Sequence, residues 1–308
     1  MKEKLSTLLE PFRIYKKENP DYPFILFTYF IIALSITAEY TFEIGNTYPV
    51  LGVTLNYSIP FFLLILLHSF RNKSFWIFGS SRFWTIFFCI ITALVISENV
   101  KIITILIRDT VAVENRYAAY KFAIQLKIWI FYGIPPLICY AVLRFLKKNS
   151  RELEDLERKA EIPITSYLLL LGPMVIVVFL AALGEDFQNY YPRAPRDQPM
   201  IGFQTSLPII LIFEIFYALA FVATEWFFRG FVIRILHPFF GKNAVLLMTV
   251  LYVAIHFEKP ILETISSSVG GFTLGIYSYY TGKIRGGVLI HVGIALAMEI
   301  IPVLLRIT

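Results

Sequence analysis

Apolar residues gather along the chain in long, nearly unbroken runs, at about 23–38, 50–69, 84–106, 124–146, 164–183, 207–236, 244–258, 264–281 and 287–305. Several approach the roughly 20 residues that a helix needs to cross a hydrocarbon layer of about 30 Å. Strands of a membrane barrel would instead alternate apolar and polar positions over about ten residues. The pattern therefore predicts an all-α fold, a polytopic transmembrane helical bundle of eight or nine helices. The seventh run is short, so eight spans plus a re-entrant piece is the alternative arrangement. Composition agrees: 57% of residues are hydrophobic and 16% charged, against about 25% charged in a soluble domain.

Polar stretches punctuate the chain. Residues 1–22 carry Lys2, Lys4, Arg13, Lys16 and Lys17 and read as a cytoplasmic lead-in. N-terminal transmembrane helices are expected over 23–183, an extracytoplasmic loop over 184–206, and a last unit over 207–308. Three prolines in the loop, Pro192, Pro195 and Pro199, argue against a continuous helix there. The charged run 147–161 reads as a solvated helix between two spans. With the N-terminus inside, the inner connections hold 18 Lys and Arg and the outer ones 7. That bias predicts an integral protein of the cell's inner or plasma membrane with a cytoplasmic N-terminus. The lipid bilayer is thus the expected surrounding. A net charge of +6 without a basic face or binding motif does not point to nucleic acid. Cys89 and Cys139 lie in apolar runs and read as small packing residues.

Some ionisable groups within the runs have ordinary readings. Glu98 and Lys101 are spaced to pair on one helix, Lys127 can snorkel, and Pro135-Pro136 should kink the fourth helix. His68 reads as interfacial and His237 as a helix-end residue. The rest fall in the last hundred residues. Glu225 and Arg229 stand four apart, in the better order for a helical ion pair. His256 follows Tyr252 by four residues, and His291 opens the last run. Charges at membrane depth cost at least about 2.5–3.5 kcal/mol each, so such groups mark function by default. Helix geometry places Glu225 and His256 at one depth. His291 joins them only if the stretch from Lys283 to Gly287 dips inward. The Gly271–Gly275 spacing predicts close helix packing nearby. Among the remaining acids, Glu258, Glu263 and Glu299 read as structural, and Glu214 as lining a shared polar cavity.

The ordered motifs are Thr224-Glu225-Trp-Phe-Phe-Arg229, Tyr252-Val-Ala-Ile-His256 and His291-Val-Gly-Ile-Ala295. Together, over about 207–305, they resemble the CPBP family of intramembrane proteases, which includes CAAX prenyl proteases and bacteriocin-processing proteins. The family pattern is Glu-Glu-x-x-x-Arg, an aromatic residue four before a His, then His-x-x-x-Asn or an apolar residue. The resemblance implies an intramembrane endopeptidase acting on a peptide or membrane-protein substrate, without a metal cofactor. Glu225 and His256 would activate water, His291 would polarise the carbonyl, and Arg229, Thr224 and Tyr252 would support them. Two positions depart from the pattern: Thr224 stands where the first Glu is expected, and Ala295 where an Asn can be. Three alternatives follow. The fold could be a catalytically impaired scaffold or a bacteriocin self-immunity protein. Glu225, His256 and His291 could instead hold zinc with an open fourth position. The same charges could also line an ion path.

Overall fold

The computed structural model describes residues 2–48, 50–99, 101–146, 156 and 158–307. Helices dominate. In chain order they are α1 (Lys2–Leu8), α2 (Glu10–Lys17), α3 (Tyr22–Phe42), α4 (Ile44–Thr47), α5 (Leu51–Asn72), α6 (Ser81–Glu98), α7 (Lys101–Thr110) and α8 (Arg116–Leu146). They continue with α9 (Leu168–Ala181), α10 (Glu185–Tyr190), α11 (Leu207–Glu225), α12 (Ile233–Phe240), α13 (Ala244–Ala254), α14 (Ile261–Thr281) and α15 (Arg285–Ile307). Among the described residues there is no β-strand; one bridge pairs Gln198 with Phe203. Helix ends follow local chemistry. Asp21 accepts from the Phe24 amide at 3.1 Å to start α3, and Gly282, at φ 63°, closes α14.

Seven helical stretches among the described residues are long and apolar enough to cross a membrane, so the chain is an integral membrane protein. The longest, Leu207–Ala254, contains a tight turn at Gly241–Asn243. Helices α12 and α13 pack on each other, so this stretch doubles back. The short seventh run is α13. Its 11 residues are all buried, as expected for a helix that is apolar all round. At about 16 Å it is half a bilayer long. It forms the centre of the bundle, packed against α3, α5, α12 and α14.

Three local expectations change. The third run is two helices, because α6 ends at Glu98 and α7 begins at Lys101. The Glu98–Lys101 spacing is therefore not a helical one. Lys127 does not snorkel; its ammonium donates to the Ser97 carbonyl at the end of α6, satisfying an orphan acceptor. His68, one turn before the end of α5, is buried between the Phe24 and Phe240 rings, at 5.7 and 5.1 Å. Helix α8 continues through Pro135 and Pro136. Of the charged run 147–161, residues 147–155 and 157 lie outside the described residues, and 158–161 have no regular structure.

The N-terminal helices fold onto the C-terminal unit. Helix α2 packs on α14, and Glu18 is the tie. Its carboxylate accepts from Lys159 at 2.9 Å and from the Tyr280 hydroxyl at 2.7 Å, and Lys242 donates to its carbonyl. Burial raises the Glu18 pKa, but the Lys159 and Tyr280 hydrogen bonds and the two lysine charges outweigh it, leaving the carboxyl below its usual range. A depressed carboxylate contributes stability above its unfolded pKa and loses it as pH falls through the folded one. Amide exchange in residues 2–18, corrected for intrinsic rate, should rise only on that acid side. Protection that is flat across the carboxylate range would contradict the tie.

Candidate active site

The site is built where α11 widens. After Glu225 the helix makes a π-helical turn, Trp226–Val232, a feature often found at functional sites. Bulky rings pack this turn. Phe227 stacks on Tyr132 at 4.7 Å, and Phe228 meets Tyr252 edge-on at 5.3 Å. Glu225 and Arg229 are both 0% exposed. Arg229 Nη1 donates to Glu225 Oε1 at 2.9 Å. The guanidinium also lies over the Tyr252 ring, 4.0 Å from its centroid, a favourable cation–π placement.

His291, in the second turn of α15, completes the group. Its Nδ1 donates to the same Glu225 Oε1 at 2.9 Å, and its Nε2 faces the Tyr252 hydroxyl at 3.3 Å. The close approach of α15 rests on Gly287. A Cβ there would lie 2.3 Å from Glu225 Oε2. The inward dip that His291 required is thus a glycine-lined helix start. We expect Gly287→Ala to displace the Glu225 carboxylate and destabilise the protein by about 1–3 kcal/mol. Thermal unfolding in detergent checks this, and an unchanged melting temperature would contradict it.

His256 is not on a helix. Helix α13 ends at Ala254, and His256 sits in the turn that leads to Pro260 and α14. Its Nδ1 donates to the Tyr252 carbonyl at 2.8 Å. An acceptor-only partner fixes the proton on Nδ1 and leaves the Nε2 lone pair free. That nitrogen lies 4.0 Å from Glu263 Oε1 on the first turn of α14. Glu263 is held in turn by Lys259 Nζ at 2.9 Å and by the Tyr191 hydroxyl at 2.7 Å. The glycines of α14 allow this. A Cβ on Gly271 would be 2.8 Å from the Tyr252 ring, and one on Gly275 2.7 Å from Val245. They bring α14 against α13, the helix that leads into His256.

Two cavities meet at the histidines. One, of about 360 Å³, is mainly apolar and is lined by Met174, Phe187, Leu262 and Met298 besides Glu263. The other, of about 380 Å³, is more polar and is lined by Glu98, Lys127, Arg193, Thr224 and Glu258. His256, His291, Lys259, Tyr191, Tyr217 and Phe221 line both. Glu225 lines neither. Thr224 faces the polar cavity, and its hydroxyl donates back to the Ala220 carbonyl at 3.0 Å. Ala295, one turn after His291, is fully buried.

Residues 205–297 match one family model, Type II CAAX prenyl endopeptidase Rce1-like. The matched segment is similar to that family. It spans under a third of the 308 residues and contains Thr224, Glu225, Arg229, Tyr252, His256, Glu263 and His291. No curated protein and no solved structure matches the chain significantly. Of the predicted residues, Glu225, Arg229, Tyr252 and His291 form one contact chain. His256 joins it through the Tyr252 backbone, and Thr224 stands beside it on the polar cavity. Glu263, Lys259 and Tyr191 were missed as site residues. Tyr191 comes from the loop outside the Rce1-like segment, anchored where Glu299 accepts from the Arg193 and Ala194 amides at 2.7 and 3.0 Å. The available signal for Glu263 was Pro260, which follows the turn that holds His256 and starts α14, so that the first turn of α14 lies beside it.

The zinc set does not assemble. Glu225 is occupied by Arg229 and His291, and each His291 nitrogen faces a protein partner. Among the described residues, no three His, Cys, Asp or Glu side chains form a group able to hold a metal ion.

Proposed function

We propose that this protein is an intramembrane endopeptidase of the CAAX prenyl protease type. Its peptide bond would be hydrolysed where the two cavities meet. The observation that carries the reading is the convergence of His256 and His291, from separate elements of the Rce1-like segment, on both cavities. His256 Nε2, with its tautomer set by the Tyr252 carbonyl, suits a general base. His291 donates from Nδ1 to the Glu225 carboxylate, which fixes the orientation of the ring. Protonated at Nε2, the ring would donate to the carbonyl oxygen as negative charge develops. The Tyr252 hydroxyl, 3.3 Å from that nitrogen, would supply the second donor that Ala295 cannot. Glu225 orients His291, and Arg229 keeps Glu225 in place. Thr224 lines the polar side.

The substrate is a peptide or membrane protein whose apolar part occupies the apolar cavity, with the bilayer as the surrounding medium. The N-terminus faces the cytoplasm of a cell whose inner or plasma membrane holds the protein. The second reading is a scaffold or bacteriocin self-immunity protein that binds such a segment without cutting it. Thr224, which stands where the family pattern has a carboxylate, and Ala295, which offers no donor where an Asn can stand, are the observations in its favour.

The test is reconstitution in vesicles with a farnesylated CAAX peptide and a library of unprenylated apolar peptides. Cleavage that is lost in His256→Ala and in His291→Ala, and unaffected by a strong chelator, supports the reading. Binding without cleavage supports the scaffold.

A further inference from the structure

The family pattern supplies its first carboxylate from a position that here is Thr224, and the next residue, Glu225, is fully buried and lines neither cavity. A hydrolase at this site still needs a carboxylate beside the water. Glu258, two residues from His256, lines the polar cavity but not the apolar one, and its Oε1 lies beside Gly45 and Glu39: a Cβ on Gly45 would be 3.0 Å from Glu258 Oε1 and 3.0 Å from Glu39 Oε1. Among the described residues lining the apolar cavity, Glu263 is the carboxylate.

We propose that Glu263 is the catalytic carboxylate of this protein, holding the attacking water against His256 in place of the acid lost at Thr224. The proposal rests on the endopeptidase reading. Glu263 Oε1 and His256 Nε2 are 4.0 Å apart. One water donating two hydrogen bonds of about 2.8 Å spans roughly 4.4 Å between its acceptors, so the gap suits a single bridging water. The division of labour follows from the partners. Glu263 Oε1 is shared with the Lys259 ammonium and Oε2 with the Tyr191 hydroxyl, so Glu263 is held by both oxygens and orients. The His256 Nε2 lone pair takes the proton.

The step balances. His256 Nε2 accepts one water proton as the water oxygen bonds to the carbonyl carbon, and the carbonyl π pair moves onto its oxygen. When that pair re-forms the double bond, the C–N bond breaks. His256 returns its proton to the leaving nitrogen, giving the amine. The new carboxylic acid loses its remaining proton to solvent through Glu263. Lys259 and Tyr191 act as positioning residues, which explains why a tyrosine of the 184–206 loop reaches into the centre of the bundle.

The experiment is steady-state cleavage of the farnesylated CAAX peptide and the apolar peptide library in proteoliposomes. Glu263→Gln, Glu263→Asp and Glu258→Gln are compared with wild type, and all are checked for melting temperature. Glu263→Gln should lower kcat by about 100-fold or more with KM nearly unchanged. Glu263→Asp should recover part of the rate, and Glu258→Gln should lose much less rate than Glu263→Gln. Glu263→Gln within about threefold of wild type, or a kcat loss in Glu258→Gln instead, overturns the proposal while leaving the endopeptidase reading standing. A wild-type protein that cleaves neither probe overturns both.

Discussion

Replacing Arg229 by Met is expected to destabilise the protein by about 3–5 kcal/mol, the cost of stranding a buried charge by removing its partner. The geometry explains the size. Glu225 and Arg229 are both 0% exposed, and their 2.9 Å contact is inside a π-helical turn packed by aromatic rings. Without Arg229, the Glu225 carboxylate keeps only His291, and the Tyr252 ring loses the cation above it. The double variant Glu225→Met with Arg229→Met should recover much of the lost stability, because a buried ion pair exchanged for apolar side chains is often close to neutral. It should not recover activity, since His291 would have lost the carboxylate that orients it. Denaturant or thermal unfolding of the single and double variants checks the account. A single variant as stable as wild type would remove the argument that this pair anchors the site.

The second large effect concerns rate. His256→Ala removes the one imidazole whose Nε2 lone pair is free of a donor and faces the apolar cavity. A positioned general base contributes typically about 10²–10⁴-fold, so kcat should fall by at least that range. Stability should change much less, because His256 lies in a turn beyond the end of α13. A loss of folding as large as the loss of rate would mean that the residue is structural. The ratio of the two effects therefore separates a reacting group from a packing one, and His68, buried between two phenylalanine rings, is the natural comparison.

Much of this was legible in the sequence because it depends on local pattern. Long apolar runs give membrane helices through length alone. The i,i+4 spacing places Arg229 beside Glu225, and the order of the three motifs singles out the residues that meet. What was not legible depends on how the chain turns within the bundle. Asn99 follows the last turn of α6, and the carbonyl of Ser97 takes Lys127, thirty residues away. The seventh run is short because α13 is the buried centre, which hydropathy alone cannot distinguish from a span. Whether His291 met Glu225 depended on the first turn of α15, and Gly287 decides it by leaving room for the carboxylate. Glu263 looked like part of a turn because it and Glu258 flank Lys259-Pro260 in sequence. Only the reversal at Pro260 aims it at His256, and only the 184–206 loop brings Tyr191 to its other oxygen.

The departures at Thr224 and Ala295 gain a physical reading from these contacts. Thr224 returns its hydroxyl to its own helix and cannot serve as a carboxylate. The acid nearest His256 on the apolar cavity comes from α14 instead. Ala295 offers no donor, while the Tyr252 hydroxyl stands within reach of His291. The site thus retains its histidines and draws its remaining polar groups from neighbouring elements.

The most direct measurement is mass spectrometry of the membrane-reconstituted protein incubated with the farnesylated CAAX peptide in heavy-oxygen water. The account predicts a shortened product whose new carboxylate carries one heavy oxygen, formed by wild type and absent with His256→Ala. Peptides left intact by wild type, or the same product formed equally by His256→Ala, would contradict it.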